Sequence, residues 1–256
     1  MTHRLSAARV EGGGSDPTRK TAFAGGLLYL ITFIASIPAA LLLQPMVSDP
    51  TWIVSSASAG DIRLAAFLDL VNALAAIGTA VALFSVVKRE HEGLALGFVT
   101  TRMFEAAVIA IGVVSILAVI TLQDPAATGA EATSLIAVGS GLVAVRDWTF
   151  ILGPGMAALN AVLLGTLLYR SRLVPRWMPA LGLIGAATFG SWVAGTVMGV
   201  SETGTAWHSV GVAPIFIWEL SIGLWMTFVG FRRRAPLVAA AAEHQGQRMA
   251  VTGGVA

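Results

Sequence analysis

The chain has 256 residues, 56% of them hydrophobic and 12% charged, with a net charge of +2. A soluble domain carries about 25% charged residues, so half of the usual water-facing surface is missing and lipid-facing surface takes its place. The absence of cysteine excludes disulfides, thiolate zinc sites and cysteine nucleophiles, and the 16 basic residues alternate between loops instead of forming the single patch that nucleic acid would require.

Residues 1–20 are polar, hold Gly12-Gly13-Gly14, and lack the short apolar core and small-residue cleavage site of a secretory signal, so they read as a disordered cytoplasmic tail that is not cleaved. The first span is expected over 22–43, with a kink at Pro38. A loop over 44–60 follows, with Trp52 placed at the membrane interface. The second span, 62–87, contains Asp69 and Asn72 three residues apart, hence on one face, and ends in the charged turn Lys88-Arg89-Glu90-His91-Glu92-Gly93. The third, 94–122, contains Arg102 and Glu105 at the same spacing.

The stretch 135–169 is apolar except for Arg146, Asp147 and Asn160, and is too long for one ordinary span. The fourth span is placed at 144–168, preceded by a re-entrant, interfacial or extended helical piece over 135–145. The basic loop Arg170, Arg172 and Arg176 leads to the fifth span, 177–200, whose Ala187, Ser191, Gly195 and Gly199 recur every four residues and suit close packing against a partner helix. The sixth span, 210–231, carries Glu219 near its middle and is stopped by Arg232-Arg233-Arg234.

On these boundaries, the tails and the loops after the second and fourth spans hold 13 of the 16 bases. The positive-inside rule then puts both termini in the cytoplasm. The expected fold is an all-α integral membrane bundle of six transmembrane helices, one membrane domain over 21–232 with a second disordered cytoplasmic tail over 233–256. Its expected partner is the lipid bilayer.

Asn72, Glu105 and Glu219 fall near the middle of three different spans, with Asp69 toward the outer side and Arg102 toward the cytoplasm. Charges in hydrocarbon are costly and usually face a protein interior or a wet cavity. Three acids stand against one base, so one ion pair leaves two carboxyls uncompensated, to be neutralised by a proton or a bound cation. Arg102 has two candidate partners, Glu105 and Glu219, and sequence does not choose between them. The alternative is that the cluster is glue between helices, the reading that fits Asn72 best.

In the fourth span, Gly153-Pro154-Gly155 marks a helix break near the same depth, either exposing backbone to a solute or serving as a packed kink. Arg146-Asp147-Trp148 is read as an outer gate or an interfacial anchor. His208, with Trp207 and Glu202, lacks the spacing of a metal site. No HExxH, phosphate-binding glycine loop or Gly-x-Ser-x-Gly elbow occurs, so no catalytic residue, metal ligand or cofactor is assigned.

Four stretches, Ala24-Gly25-Gly26-Leu27-Leu28-Tyr29-Leu30-Ile31-Thr32, Arg102-Met103-Phe104-Glu105-Ala106, Leu168-Tyr169-Arg170-Ser171 to Pro175-Arg176-Trp177, and Trp218-Glu219-Leu220 to Leu224-Trp225, together resemble the bacterial membrane family called domain of unknown function 4386. The resemblance covers about 18–234 and implies a multi-pass protein of the bacterial inner membrane, without implying an activity. Three readings follow: a transporter-like protein binding a proton, a cation or a small polar solute at the midplane cluster; an accessory subunit packing on a partner; and a membrane-embedded enzyme.

Overall fold

The computed structural model describes residues 17–232 and 234–239. Among them every regular element is helical: α1 (Pro17–Ser48), a 3-10 turn (Pro50–Val54), α2 (Gly60–Val87), α3 (Glu92–Leu122), α4 (Gly129–Gly155), α5 (Ala157–Ser171), α6 (Trp177–Val197), α7 (Ala206–Leu224) and a π-helical turn (Trp225–Val229) that prolongs α7. Six segments are long and apolar enough to cross a bilayer, α4 and α5 counting together as one of 43 residues, Gly129–Ser171. The stretch 135–145 is therefore ordinary helix within α4, and the fourth span begins well before residue 144. Side-chain contacts explain why. The Ser115 hydroxyl donates to the Leu142 carbonyl, Gly112 faces Thr149 and Gly97 faces Leu163, so α4 and α5 run antiparallel along α3.

Helices adjacent in sequence pack side by side, α7 returns to α1 to close a ring, and α5 also reaches α3. The surface of the ring is as apolar as its interior: Ile34 at 70% exposure, Leu74 at 68% and Val114 at 67% face outward. Such side chains find their counterpart in lipid, where a helix satisfies its backbone internally. Inside, one large apolar core runs through α5, α6 and α7 and the adjoining parts of α1, α2 and α3, around Tyr29, Phe98, Leu164 and Trp218. A second lies where α1 and α3 end and α2 begins, around Leu43, Ile62 and Ile116. Trp52 belongs to this second core at 5% exposure. It is buried, not interfacial, because the 3-10 turn folds under α4, where Ile53 meets Gly139. Asp49 caps that turn by accepting hydrogen bonds from the Thr51 amide (2.9 Å) and hydroxyl (2.7 Å), which hold its carboxyl below the usual range.

An even number of crossings brings the start of α1 and the end of α7 to one side. There Arg19 donates to the carbonyls of Met226 (3.1 Å), Thr227 (2.9 Å) and Phe228 (3.2 Å). Carbonyls at a helix end lack intrahelical donors, and a guanidinium fork satisfies several at once. Helix α1 begins at Pro17, inside the stretch assigned to the first tail, and continues unbroken through Pro38 and Pro45. Of the second tail, Ala235 and Val238 are buried in the large core, held there by the bond from the Arg232 amide to the Leu173 carbonyl (2.8 Å). Of the expected tails, residues 1–16, 233 and 240–256 lie outside the described residues.

Close helix approach depends on glycine at a few positions. A Cβ on Gly26 would lie 2.5 Å from the Thr227 amide nitrogen and 2.8 Å from the Gly223 carbonyl oxygen, both backbone atoms, whereas one on Gly141 meets nothing within 4 Å. Gly26→Ala is therefore expected to destabilise by about 1–3 kcal/mol, and Gly141→Ala to be neutral or slightly stabilising. Thermal unfolding in detergent measures both.

Candidate functional site

The middle of the ring contains a charged cluster drawn from four spans. Arg102 on α3 is 2% exposed. Its Nη1 donates to Glu105 at 3.0 and 3.2 Å, and its Nη2 to Glu219 Oε1 on α7 at 2.9 Å. Arg102 thus engages both candidate partners. Asn160 on α5 donates its amide to Glu105 Oε2 at 2.8 Å and accepts the Thr101 hydroxyl at 2.5 Å. The rings of Tyr29 on α1 and Phe98 lie 4.9 and 5.8 Å from the guanidinium carbon. Aromatic faces stabilise a desolvated cation while adding no competing acceptor.

The two acids are held differently. Glu105 has both oxygens occupied, whereas Glu219 makes one hydrogen bond among the described residues and its side chain keeps 14% exposure. Arg102 Nε is buried without a partner. In ionised form the cluster is two carboxylates around one guanidinium.

Asp69 and Asn72 do not join it. They line a separate cavity of about 40 Å³ between α1, α2, α3 and α4, with Ser36, Arg146 and Thr149. Position along a span gives the height of a residue but not the direction it faces, and α2 presents these two toward α1 and α4. The triplet Arg146-Asp147-Trp148 divides among three surroundings. Arg146 is 6% exposed with its guanidinium 4.5 Å from the Phe150 ring, Asp147 lines a second cavity of about 150 Å³ beside Trp52 and Asp49, and Trp148 is exposed. Arg146 neither snorkels nor sits at the outer edge, since its Cδ lies level with Gly112, near the middle of α3. The register of α4 on α3 puts it there.

Gly153-Pro154-Gly155 are the last residues of α4, and the interruption before α5 is the single residue Met156, itself in right-handed helical conformation (φ −63°, ψ −17°), whose amide bonds the Gly153 carbonyl at 3.0 Å. A Cβ on Gly153 would fall 3.2 Å from Ile109 and 3.6 Å from the Glu105 carbonyl oxygen. Glycine here lets α4 approach α3 beside the acid, and Pro154 lines the smaller cavity.

On α6 the four-residue stripe does not receive another helix of the chain: Ala187 and Ser191 are exposed, Gly195 meets only Val200 and Ser201 of the segment that follows, and Gly199 lies past the helix end in a left-handed turn with φ of 72°. The packed face is Gly182, against the Trp218 ring, and Gly185, against Ile215. His208 accepts the Gly204 amide at 3.3 Å and its ring lies 4.4 Å from that of Trp192.

Three participants in the cluster escaped the sequence reading. Asn160 stood out only as a lone polar residue, although it lies seven residues, about two turns, after Gly153 and so on the same face. Tyr29, one of two tyrosines, was an isolated hydroxyl in an apolar run, and Thr101 was simply the neighbour of Arg102.

No curated protein and no solved structure matches the chain. The model of the family described as Domain of unknown function (DUF4386) matches residues 24–230, from Ala24 before the glycine pair in α1 to Gly230 just past the π-helical turn. That match takes in Arg102, Glu105, Asn160 and Glu219 and most of the chain, and the chain therefore belongs to the DUF4386 family.

Proposed function

We propose that this is a transporter-like protein of the bacterial inner membrane in which the Arg102, Glu105 and Glu219 cluster takes up and releases a proton, with Glu219 as the titrating group. The observation that carries this reading is one buried guanidinium between a buried and a part-buried carboxylate from different helices. An uncompensated charge at that depth is unfavourable by several kcal/mol, and a proton on one acid removes it. Glu105 is held by Arg102 and Asn160 together, which leaves Glu219, with its single bond, to change state.

Protonation would also have a mechanical effect. The Arg102–Glu219 bond joins α3 to α7, which otherwise touch little. A neutral carboxyl forfeits the charge-assisted part of that bond, roughly half its strength. Proton binding would then loosen α7 from α3, the kind of two-state element that couples a proton to helix movement. The proposed orientation rests on the same side-by-side count as before. Arg19, Lys20, Lys88, Arg89, Arg170, Arg172 and Arg176 cluster with the two chain ends, while Arg146 counts for neither side because it is buried.

Exposure of Ala187 and Ser191 favours a second reading, an accessory subunit packing through α6. Under it, Ser191→Leu breaks a complex and Glu219→Gln changes little.

If a proton is held by the folded state and released on unfolding, stability rises as pH falls. Wild type in detergent should melt several degrees higher at pH 5 than at pH 9, at about 2–4 °C per kcal/mol. Glu219→Gln should be flat across that range and Glu105→Gln should be markedly destabilised. Sodium in place of low pH restoring the wild-type melting point would make the ligand a cation. A Glu219→Gln variant that melts much earlier at every pH makes the group a structural strut and removes the reading. Reporter fusions at residues 19 and 234 should both report the cytoplasm; a periplasmic signal from either overturns the orientation.

A further inference from the structure

Beside the central cluster lies a second buried guanidinium, which has the Phe150 ring against it but no hydrogen-bonded or ionic partner. Arg146 is 6% exposed, its Nε is buried and unpartnered, and its side chain makes no hydrogen bond or ion pair with any described residue. It lines the cavity of about 40 Å³, and three half-buried polar side chains lining that cavity with it, Ser36, Asp69 and Asn72, also make no side-chain hydrogen bond among the described residues. Four unpartnered polar side chains from α1, α2 and α4 thus converge on one small space. In the central cluster, by contrast, both terminal nitrogens of Arg102 and both oxygens of Glu105 are bonded, by contacts of 2.8–3.2 Å. Asp69 and Arg146 feel each other electrostatically but do not come within the 4.0 Å of an ion pair. Pro154, a further lining residue, withholds the amide hydrogen that would otherwise bond the Phe150 carbonyl, adding an acceptor beside the same space.

We infer that this cavity is a binding site for a small zwitterion, its carboxylate on Arg146 and its ammonium on Asp69, with Asn72 and Ser36 completing the hydrogen bonds. One fixed positive and one fixed negative charge, held apart, complement a ligand that carries both. A lone anion would leave Asp69 unmatched, and a lone cation would leave Arg146 so. Unpaired charges of this kind are the costly case in a low-dielectric interior. A water needs roughly 10–15 Å³ of such space, so the enclosed part of the cavity holds about three waters, and an amino acid of the size of glycine is the smallest zwitterion to set against both charges. Depth excludes a lipid headgroup as the source. The site is level with Gly112, ten residues or about 15 Å from the end of α3, near the bilayer midplane.

The inference does not depend on the proton reading of the central cluster, and the test keeps the two apart. The full chain, purified in detergent at constant pH, is titrated with glycine, with acetate, with methylammonium, and with the last two together, while its melting temperature is followed. Glycine is expected to raise it saturably by at least 2 °C, and the half-ligands, alone or mixed, by less than a quarter of that. Arg146→Gln and Asp69→Asn should each abolish the shift, and Glu219→Gln should leave it intact. Ser36→Leu fills the cavity while keeping both charges and should abolish it too, which decides the matter should Arg146→Gln fail to fold. No saturable shift with glycine in wild type overturns the site, as does an equal shift in Ser36→Leu. A shift reproduced by acetate alone overturns the zwitterion and makes it an anion site.

Discussion

A guanidinium in the middle of a bilayer cannot borrow partners from water, so the helices that surround it have to bring them. Arg102 receives a carboxylate from its own helix, another from α7, and aromatic faces from Tyr29 on α1 and Phe98 on α3, while Asn160 on α5 fixes the nearer acid. Four spans are thereby committed to one point. The return of α7 to α1 and the approach of α5 to α3 are the geometry this requires. Truncating Arg102 would leave two buried acids facing each other, whereas truncating either acid leaves the other bound; the base is therefore the group on which the arrangement depends.

What could be read from residues alone was the part governed by periodicity. A spacing of three puts Arg102 and Glu105 on one helical face, and hydropathy alone delimits six crossings. What could not be read was the direction each face takes. Asp69 and Asn72 satisfy the same spacing rule and the same depth argument as the central acids, yet α2 turns them to α1 and α4. Arg146 was assigned to an edge because the fourth span was begun too late; once α4 is extended back to Gly129 its register on α3 carries Arg146 to mid-depth. Trp52 was treated as interfacial by composition, although a five-residue 3-10 turn folds it inward. Asn160 and Tyr29 carried no signal stronger than being polar in apolar runs.

Helix packing on α6 illustrates the same limit from the other side. A stripe of small residues at four-residue spacing is the usual mark of a close contact, and α6 has one in Ala187, Ser191 and Gly195. The chain uses a different face. Gly182 and Gly185 admit the Trp218 ring and the Ile215 backbone, so that Trp218 is fully buried next to Glu219. Seating Trp218 in this way orients the neighbouring turn of α7 and hence the acid that meets Arg102. Small residues placed to receive one large ring can matter more than a longer stripe with nothing opposite it.

The two polar sites are not independent in the fold. On α3, Arg102, Glu105, Ile109 and Gly112 follow one another at spacings of three and four, a single face that passes from the charged cluster to the small cavity. On the facing span, Gly153 touches Ile109 and the Glu105 backbone, Pro154 lines the cavity, and Asn160 reaches the cluster. The break between α4 and α5 thus lies between the two sites and against both. Pro154 removes the amide hydrogen that would bond the Phe150 carbonyl, so the helical ladder is weakened at that one level, with Arg146 on one side of it and Asn160 on the other. Any movement of Asn160 with Glu105 would therefore reach Arg146 through the weakest turn of the span.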